Sequence, residues 1–306
     1  MTDVRTSDAA SGRLPLRVLL ATDDSEPARA AETWVARLGP VRPTAVDVVC
    51  VAARGLTRFG WAMQTYRAAV KAALEEVRAS ALLSAESIAN DAGERLQESG
   101  LRVRAWARQG EAAEELLEMI EEVRPDLVVV GSRGRSALAE MLLGSVSHQL
   151  VVHSVRPVLV ARPPATAAGD LPSRALVVAC GDRADETATA WLADSGLLTG
   201  SETVVLGLLE GPAAEVPASL VELDDELRRA AEDRLGATAA ALRGRTGRLD
   251  VQLGAGHPLE EVLAWSRRGE IDLIVVARPA ARPGRRAIAE ELARHASCSV
   301  LVVPSR

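Results

Sequence analysis

The chain has 306 residues, 48 % hydrophobic and 25 % charged, with a formal net charge of −6. That balance belongs to a folded protein and excludes wholesale disorder, and the length suits about two domains of roughly 150 residues each. An acidic chain with five tryptophans, one tyrosine and one phenylalanine also lacks the basic field and stacking aromatics of a broad nucleic-acid surface.

The opening "MTDVRTSDAASGRL" has acids where a signal peptide carries a basic start and an apolar core, so residues 1–13 read as a disordered leader. No apolar run approaches the ~20 residues that span a bilayer, and no membrane partner is expected. Cys50, Cys180 and Cys298 follow no CxxC or Cys/His spacing, which suggests neither a disulfide framework nor a zinc site. The expected location is the cytoplasm.

"RVLLATD", Arg17 to Asp23, is an apolar run without alternation, as in a parallel strand covered on both faces. The next residues predict a helix, with Ser25 as N-cap, Glu26 and Pro27 in the first turn, apolar residues at Ala31, Trp34, Val35 and Leu38, and Gly39 at its end. "AVDVVCVAA" is a second strand, residues 63–98 a long helix, "LRVRAWARQG" a third strand, "EAAEELLEMIEEVRP" a helix and "DLVVVG" a fourth strand. A helix from Ser145 to about His153 and the strand "RPVLVAR" close a βαβαβαβαβ series, for which right-handed crossovers give a doubly wound parallel sheet.

Residues 163–172, rich in proline, glycine and small side chains, read as a linker. The series then repeats: "PDLVVVGSRG" aligns with "IDLIVVARPA", and "RPVLVAR" with "CSVLVVP". Two tandem doubly wound five-stranded parallel sheets are therefore expected, over residues 14–162 and 173–306. The last strand of each copy should lie at a sheet edge, where unpaired backbone invites another strand.

The most informative stretch is "DLVVVGSRGRSALAEMLLGSVSHQLV". Gly131 ends the fourth strand, Gly134 follows, and Gly144 stands before Ser145, Val146 and Ser147 at a helix start. Ligands of open parallel sheets sit outside the carboxyl ends of strands. Glycine lets backbone N–H groups approach a phosphate, and a helix start offers unpaired N–H groups and a positive dipole end. The hydroxyls of Ser145 and Ser147 could donate as well. Glycine pairs after strands are also common turn punctuation, but the helix start at Gly144 favours an anion cradle. The spacing is neither a Walker A loop nor a GxGxxG turn.

These residues, with "PVLV" after them and "ATDDSEPA" at the end of the first strand, resemble the ATP-binding signature of the universal stress proteins, whose fold is of the adenine-nucleotide α-hydrolase-like, Rossmann-like kind. By that resemblance, Thr22 and Asp23 would contact the adenosine and Val51 would lie beside the base. Gly131, Arg133 and Gly134 would run along ribose and phosphates, and Gly144, Ser145, Val146 and Ser147 would complete the phosphate site. Read from the residues alone, Asp23 could be only a turn residue, Val51 plain core and Arg133 a solvated charge.

The second copy has Ala277 and Ala280 for the first two glycines, a shorter loop, Arg286-Ala287 at the place of Gly144-Ser145, and Cys180 at that of Asp23. Pro279 and Pro283 remove N–H donors. This half is expected not to bind ATP; its cluster of Arg278, Arg282, Arg285 and Arg286 could hold another anion but reads first as a solvated basic turn. The four histidines lack metal spacing and read as surface or cap residues.

The expected function is that of an ATP-binding cytoplasmic stress or signalling protein with nucleotide in the first half only; whether Mg²⁺ accompanies it stays open. It is not expected to be an enzyme beyond slow ATP hydrolysis, since Ser25 has no identifiable base. A nucleotide-independent dimerisation or partner-binding scaffold is the alternative, and an ATP-using enzyme ranks behind both. The resemblance further implies that the two halves pair as an intramolecular pseudo-dimer, with a homodimer of whole chains left open.

Overall fold

A computed structural model describes residues 15–39, 42, 44–53, 68–134, 143–163, 172–179, 183–209, 221–255, 257–268, 271–280 and 283–305. The expected leader, most of the expected linker and the start of the first long helix lie outside these residues.

The first half comprises β1 (Leu16–Ala21), α1 (Glu26–Leu38), β2 (Thr44–Ala52), α2 (Ala68–Glu98), β3 (Arg102–Gln109), α3 (Ala112–Val123), β4 (Leu127–Gly131), α4 (Ser145–His153) and β5 (Val158–Ala161). The second comprises β6 (Arg174–Ala179), α5 (Arg183–Ser195), β7 (Glu202–Leu209), α6 (Val221–Leu242), β8 (Arg248–Ala255), α7 (Pro258–Arg267), β9 (Leu273–Arg278), α8 (Pro283–His295) and β10 (Ser299–Pro304).

Local chemistry accounts for these elements. Ser25 caps α1 by accepting a hydrogen bond from the Ala28 amide, with Pro27 in the first turn. In α3, Leu116, Met119 and Ile120 recur at helical spacing and turn inward together. Arg124 closes that helix in a left-handed conformation, its N–H on the Ile120 carbonyl, directly before Pro125. The apolar runs of β1, β4, β9 and β10 are covered on both faces, as strands of a parallel sheet must be.

The ten strands among the described residues form one sheet in the order β3-β2-β1-β4-β5-β10-β9-β6-β7-β8. Each half repeats the same five-strand order, with α1 and α5 or α3, α4, α7 and α8 packing against the sheet. The repeat extends to single side chains. Asp126 accepts a hydrogen bond from the Arg17 amide at 2.9 Å, and Asp272 does the same for the Arg174 amide at 3.1 Å. These anchors align the halves with no gap from Arg17/Arg174 through α1/α5, and they make Val158 and Val300 equivalent through their pairing with Val128 and Ile274.

The halves meet where β5 and β10 pair antiparallel, with Val158 opposite Val302, Leu159 opposite Leu301 and Val160 opposite Val300. Because Leu159 and Leu301 are equivalent, this pairing has a local two-fold axis at its centre. Val158–Ala161 and Val300–Val303 are all 2 % exposed or less, so the strands that would be edges of separate sheets instead form the buried centre.

Arginines secure this junction. Arg162, after β5, donates to the carbonyls of Ala293, Arg294 and Cys298 in and beyond α8, and Arg278, ending β9, donates to those of Val152 and Ser154 at the end of α4. Arg42 donates to Asp194 and Ser195 at the end of α5. In each case a guanidinium of one half meets helix-terminal carbonyls of the other, where orphan acceptors and the negative dipole end favour a cation. Burial pushes the Arg162 guanidinium down to about 10, which still leaves it charged at neutral pH. Arg278 therefore belongs to the junction and not, as its sequence neighbours suggested, to a solvated basic turn. His148 is likewise more than a surface residue, because its Nε2 lies 3.7 Å from Glu290 Oε2 at the equivalent position of α8.

Candidate functional site

In the order β3-β2-β1-β4-β5 the chain reverses direction of travel across the sheet between β1 and β4, and the carboxyl ends of strands at such a switch point are where open parallel sheets bind ligands. Thr22, Asp23 and Gly131 lie there. The turn after β1 is built from successive local hydrogen bonds: the Asp24 amide donates to Thr22 Oγ1 at 3.3 Å, the Ser25 amide to Asp23 Oδ1 at 3.1 Å and the Ala28 amide to Ser25 Oγ at 3.4 Å. Such turns suit short polar side chains. Asp24 takes a φ of +62°, which aspartate tolerates better than most residues.

The glycines are in contact with this turn. A Cβ on Gly131 would lie 2.6 Å from the backbone carbon and oxygen of Pro27, so the first turn of α1 can close on β4 only over glycine. A Cβ on Gly134 would lie 2.6 Å from Asp23 Oδ2, which places the Asp23 carboxylate against the Gly134 backbone. Gly144 returns the chain to the same place: its amide donates to the Ser132 carbonyl at 2.8 Å, and a Cβ on it would meet Arg133 Cα at 3.3 Å.

Gly144 is the N-cap of α4, and no side chain caps the helix. The amides of Ser145, Val146 and Ser147 therefore open the helix without an intrahelical acceptor. Ser145 is exposed and Val146 half-buried. Ser147 departs from expectation. Its hydroxyl is buried and donates to the Gly131 carbonyl at 2.7 Å, so it ties α4 to the end of β4 and leaves only its amide to offer an anion. Arg133 is half-buried at the mouth.

Asp23, Gly131, Arg133, Gly134, Gly144 and Ser147 are thus brought together. Val51 ends up near the carboxyl end of β2, half-buried against the core that includes Ala21, Val49 and Val130.

A buried acid beside the site escaped the sequence reading. Glu32 is 6 % exposed. It accepts from the Thr22 hydroxyl at 3.3 Å and from Arg95 of α2 at 2.9 and 3.1 Å. Arg29 and Arg95 also pair with Asp24. The hydrogen bond to Glu32, with the nearby acids, holds the Arg95 guanidinium above its ordinary range. The available signal was a glutamate on the apolar face of α1, among Ala28, Ala31 and Val35.

The same place in the second half is built differently. Ala287 lies as far before Val300 as Ser145 lies before Val158, yet α8 already begins at Pro283, four residues earlier. One extra helical turn thus stands in α8 where the chain of the first half enters its helix through Gly144, and a proline without N–H is at its start. Ala277 occupies the position of Gly131. The counterparts of Asp23, Asp24 and Ser25, residues 180–182, lie outside the described residues.

Among the described residues no group of three or more His, Cys, Asp or Glu side chains could hold a metal, and no helix is long and apolar enough to cross a membrane.

Residues 16–162 and 173–304 match the universal stress protein family. Universal stress protein YxiE of Bacillus subtilis is 39 % identical over 89 residues, which is 29 % of this chain and 60 % of that protein. A universal stress protein of Mycolicibacterium smegmatis is 30 % identical over 190 residues, 62 % of each chain. The chain thus spans less than two thirds of the length of these two relatives. The crystal structure of a universal stress protein from Archaeoglobus fulgidus covers 94 % of this chain and 96 % of its own, with a TM-score of 0.63 at 20 % identity, and so shares the fold. With both halves matched and the fold repeated in each, the chain belongs to the universal stress protein family.

Proposed function

We propose that the chain binds one adenine nucleotide, ATP, at the switch point of its first half, and that it acts in a stress response by holding the nucleotide rather than by turning it over. The observation that carries this reading is the one-sided cradle. Gly131, Gly134 and Gly144 converge with Asp23 at an uncapped helix start in the first half, while the extra turn of α8 occupies the corresponding place in the second.

In this reading Thr22, Asp23 and Val51 face the nucleoside, Gly131, Arg133 and Gly134 follow ribose and phosphates, and the amides of Ser145, Val146 and Ser147 donate to phosphate oxygens at the start of α4. Arg133 adds a guanidinium suited to phosphate oxygens. The chain supplies orientation and electrostatics, and any hydrolysis is slow. Residues 1–13 act as a leader and residues 163–172 as a linker between the nucleotide-binding and degenerate halves, in a cytoplasmic protein.

Chromatography of the supernatant after denaturing purified protein tests the reading. The expected result is adenine nucleotide at no more than one equivalent per chain, or, from protein that has lost it, uptake of added ATP to that level. A chain that neither carries nor takes up nucleotide would leave the scaffold alternative standing.

A further inference from the structure

The Glu32–Arg95 pair has no role in the fold that a well-packed apolar pair would not fill. Glu32 is buried while the Arg95 side chain is 34 % exposed, and such a pair brings little net stability, because solvent screening on one side and desolvation on the other offset the attraction. Its placement is what distinguishes it. Arg95 sits near the end of the 31-residue helix α2 and grips both Glu32 oxygens. Glu32 in turn receives the Thr22 hydroxyl, and that hydroxyl oxygen accepts the Asp24 amide. Asp24 is held from its other side by Arg29 and Arg95. The turn that carries Asp23 against Gly134 is thereby fixed at Thr22 and at Asp24, the residues on either side of Asp23.

The second half supplies an internal comparison. In the gapless alignment of β1–α1 with β6–α5, Thr22 corresponds to Ala179 and Glu32 to Thr189. The half that lacks the glycines has no hydroxyl at the Thr22 position and no acid at the Glu32 position, the buried acid of α5 being Asp185, one turn earlier. A pair needed only to pack a helix on the sheet would have reason to persist in both halves.

We infer that Glu32 and Arg95 are positioning residues for the nucleoside end of the ligand: through Thr22 and Asp24 they hold Asp23 in its ligand-facing pose, while the phosphate cradle at α4 stands independently of them. This rests on the nucleotide reading above. It divides the site into a nucleoside part, set by α1 and α2, and a phosphate part, set by β4 and α4.

The test is titration of the full-length chain with two probes, ATP and inorganic tripolyphosphate, in wild type and in Arg95→Leu, Glu32→Gln and Arg95→Lys. In Arg95→Leu and Glu32→Gln, ATP affinity falls about tenfold while tripolyphosphate affinity stays within about twofold of wild type. Arg95→Lys, which keeps the charge but not the two-pronged grip, falls between. Should Arg95→Leu fail to fold, Arg95→Lys and Glu32→Gln carry the test. Variants that bind ATP like wild type, or lose both probes in parallel, overturn the inference and leave the nucleotide reading intact. A wild-type chain that binds neither probe overturns both.

Discussion

Gly131 and Gly134 stand three residues apart and lack side chains for different reasons. At Gly131 the obstacle to a Cβ is the backbone of Pro27, which can move only if α1 moves. Gly131→Ala is therefore expected to lower stability by about 1–3 kcal/mol in urea denaturation. At Gly134 the obstacle is the flexible end of Asp23, so Gly134→Ala should change stability by less than about 0.5 kcal/mol yet turn Asp23 aside and weaken ATP. Equal stability losses in the two variants would contradict this division. Cys298 offers a separate check. Its thiol is buried and pushed up to about 12 by desolvation, and since the thiolate is the reactive form, mass mapping after iodoacetamide at pH 8 should find it unlabelled in the native protein. Labelling at the rate of a free thiol would mean that the junction opens.

Among the elements, α4 joins the candidate site to the rest of the molecule. Its first turn borders that site, its Ser147 hydroxyl is fastened to β4, and its last carbonyls are held by Arg278 from the other half. Arg278→Leu should lower the melting temperature by an amount equivalent to about 1–3 kcal/mol, the cost of leaving buried acceptors unmet. An unchanged melting temperature would show that water serves those carbonyls equally well. The elements themselves were largely legible in the sequence, since continuous apolar runs and amphipathic spacing are local signals, and β10 coincides with the stretch "SVLVVP". The start of α8 was not. Arg285 and Arg286 read as part of a basic turn, whereas they lie in the first turn of a helix that starts at Pro283; the short connection after β9 sets that start, and Pro283 fits the first helical position. Glu32 was hidden for a similar reason: its partner Arg95 lies 63 residues away, and no local pattern reports such a pair.

At the scale of the whole molecule, a single ten-stranded sheet with an apolar pairing of β5 and β10 at its centre makes the halves one structural unit. The reciprocal arginine contacts extend that unit to α4, α5 and α8. Calorimetry should then record one cooperative transition, with van't Hoff and calorimetric enthalpies in agreement. Two resolved transitions would show that the halves melt independently. A duplicated fold was readable from the repeat of "DLVVVG" as "DLIVVA", but the junction arginines were not, because Arg278 takes its role from a helix of the other copy. With Gly131, Gly134 and Gly144 matched by Ala277, Ala280 and Arg286 in the second half, ATP is expected to bind asymmetrically. Isothermal titration of ATP into the intact chain should find one site per chain, abolished by Gly144→Val with the fold retained; two sites per chain, or binding that survives Gly144→Val, would show that ATP is held elsewhere.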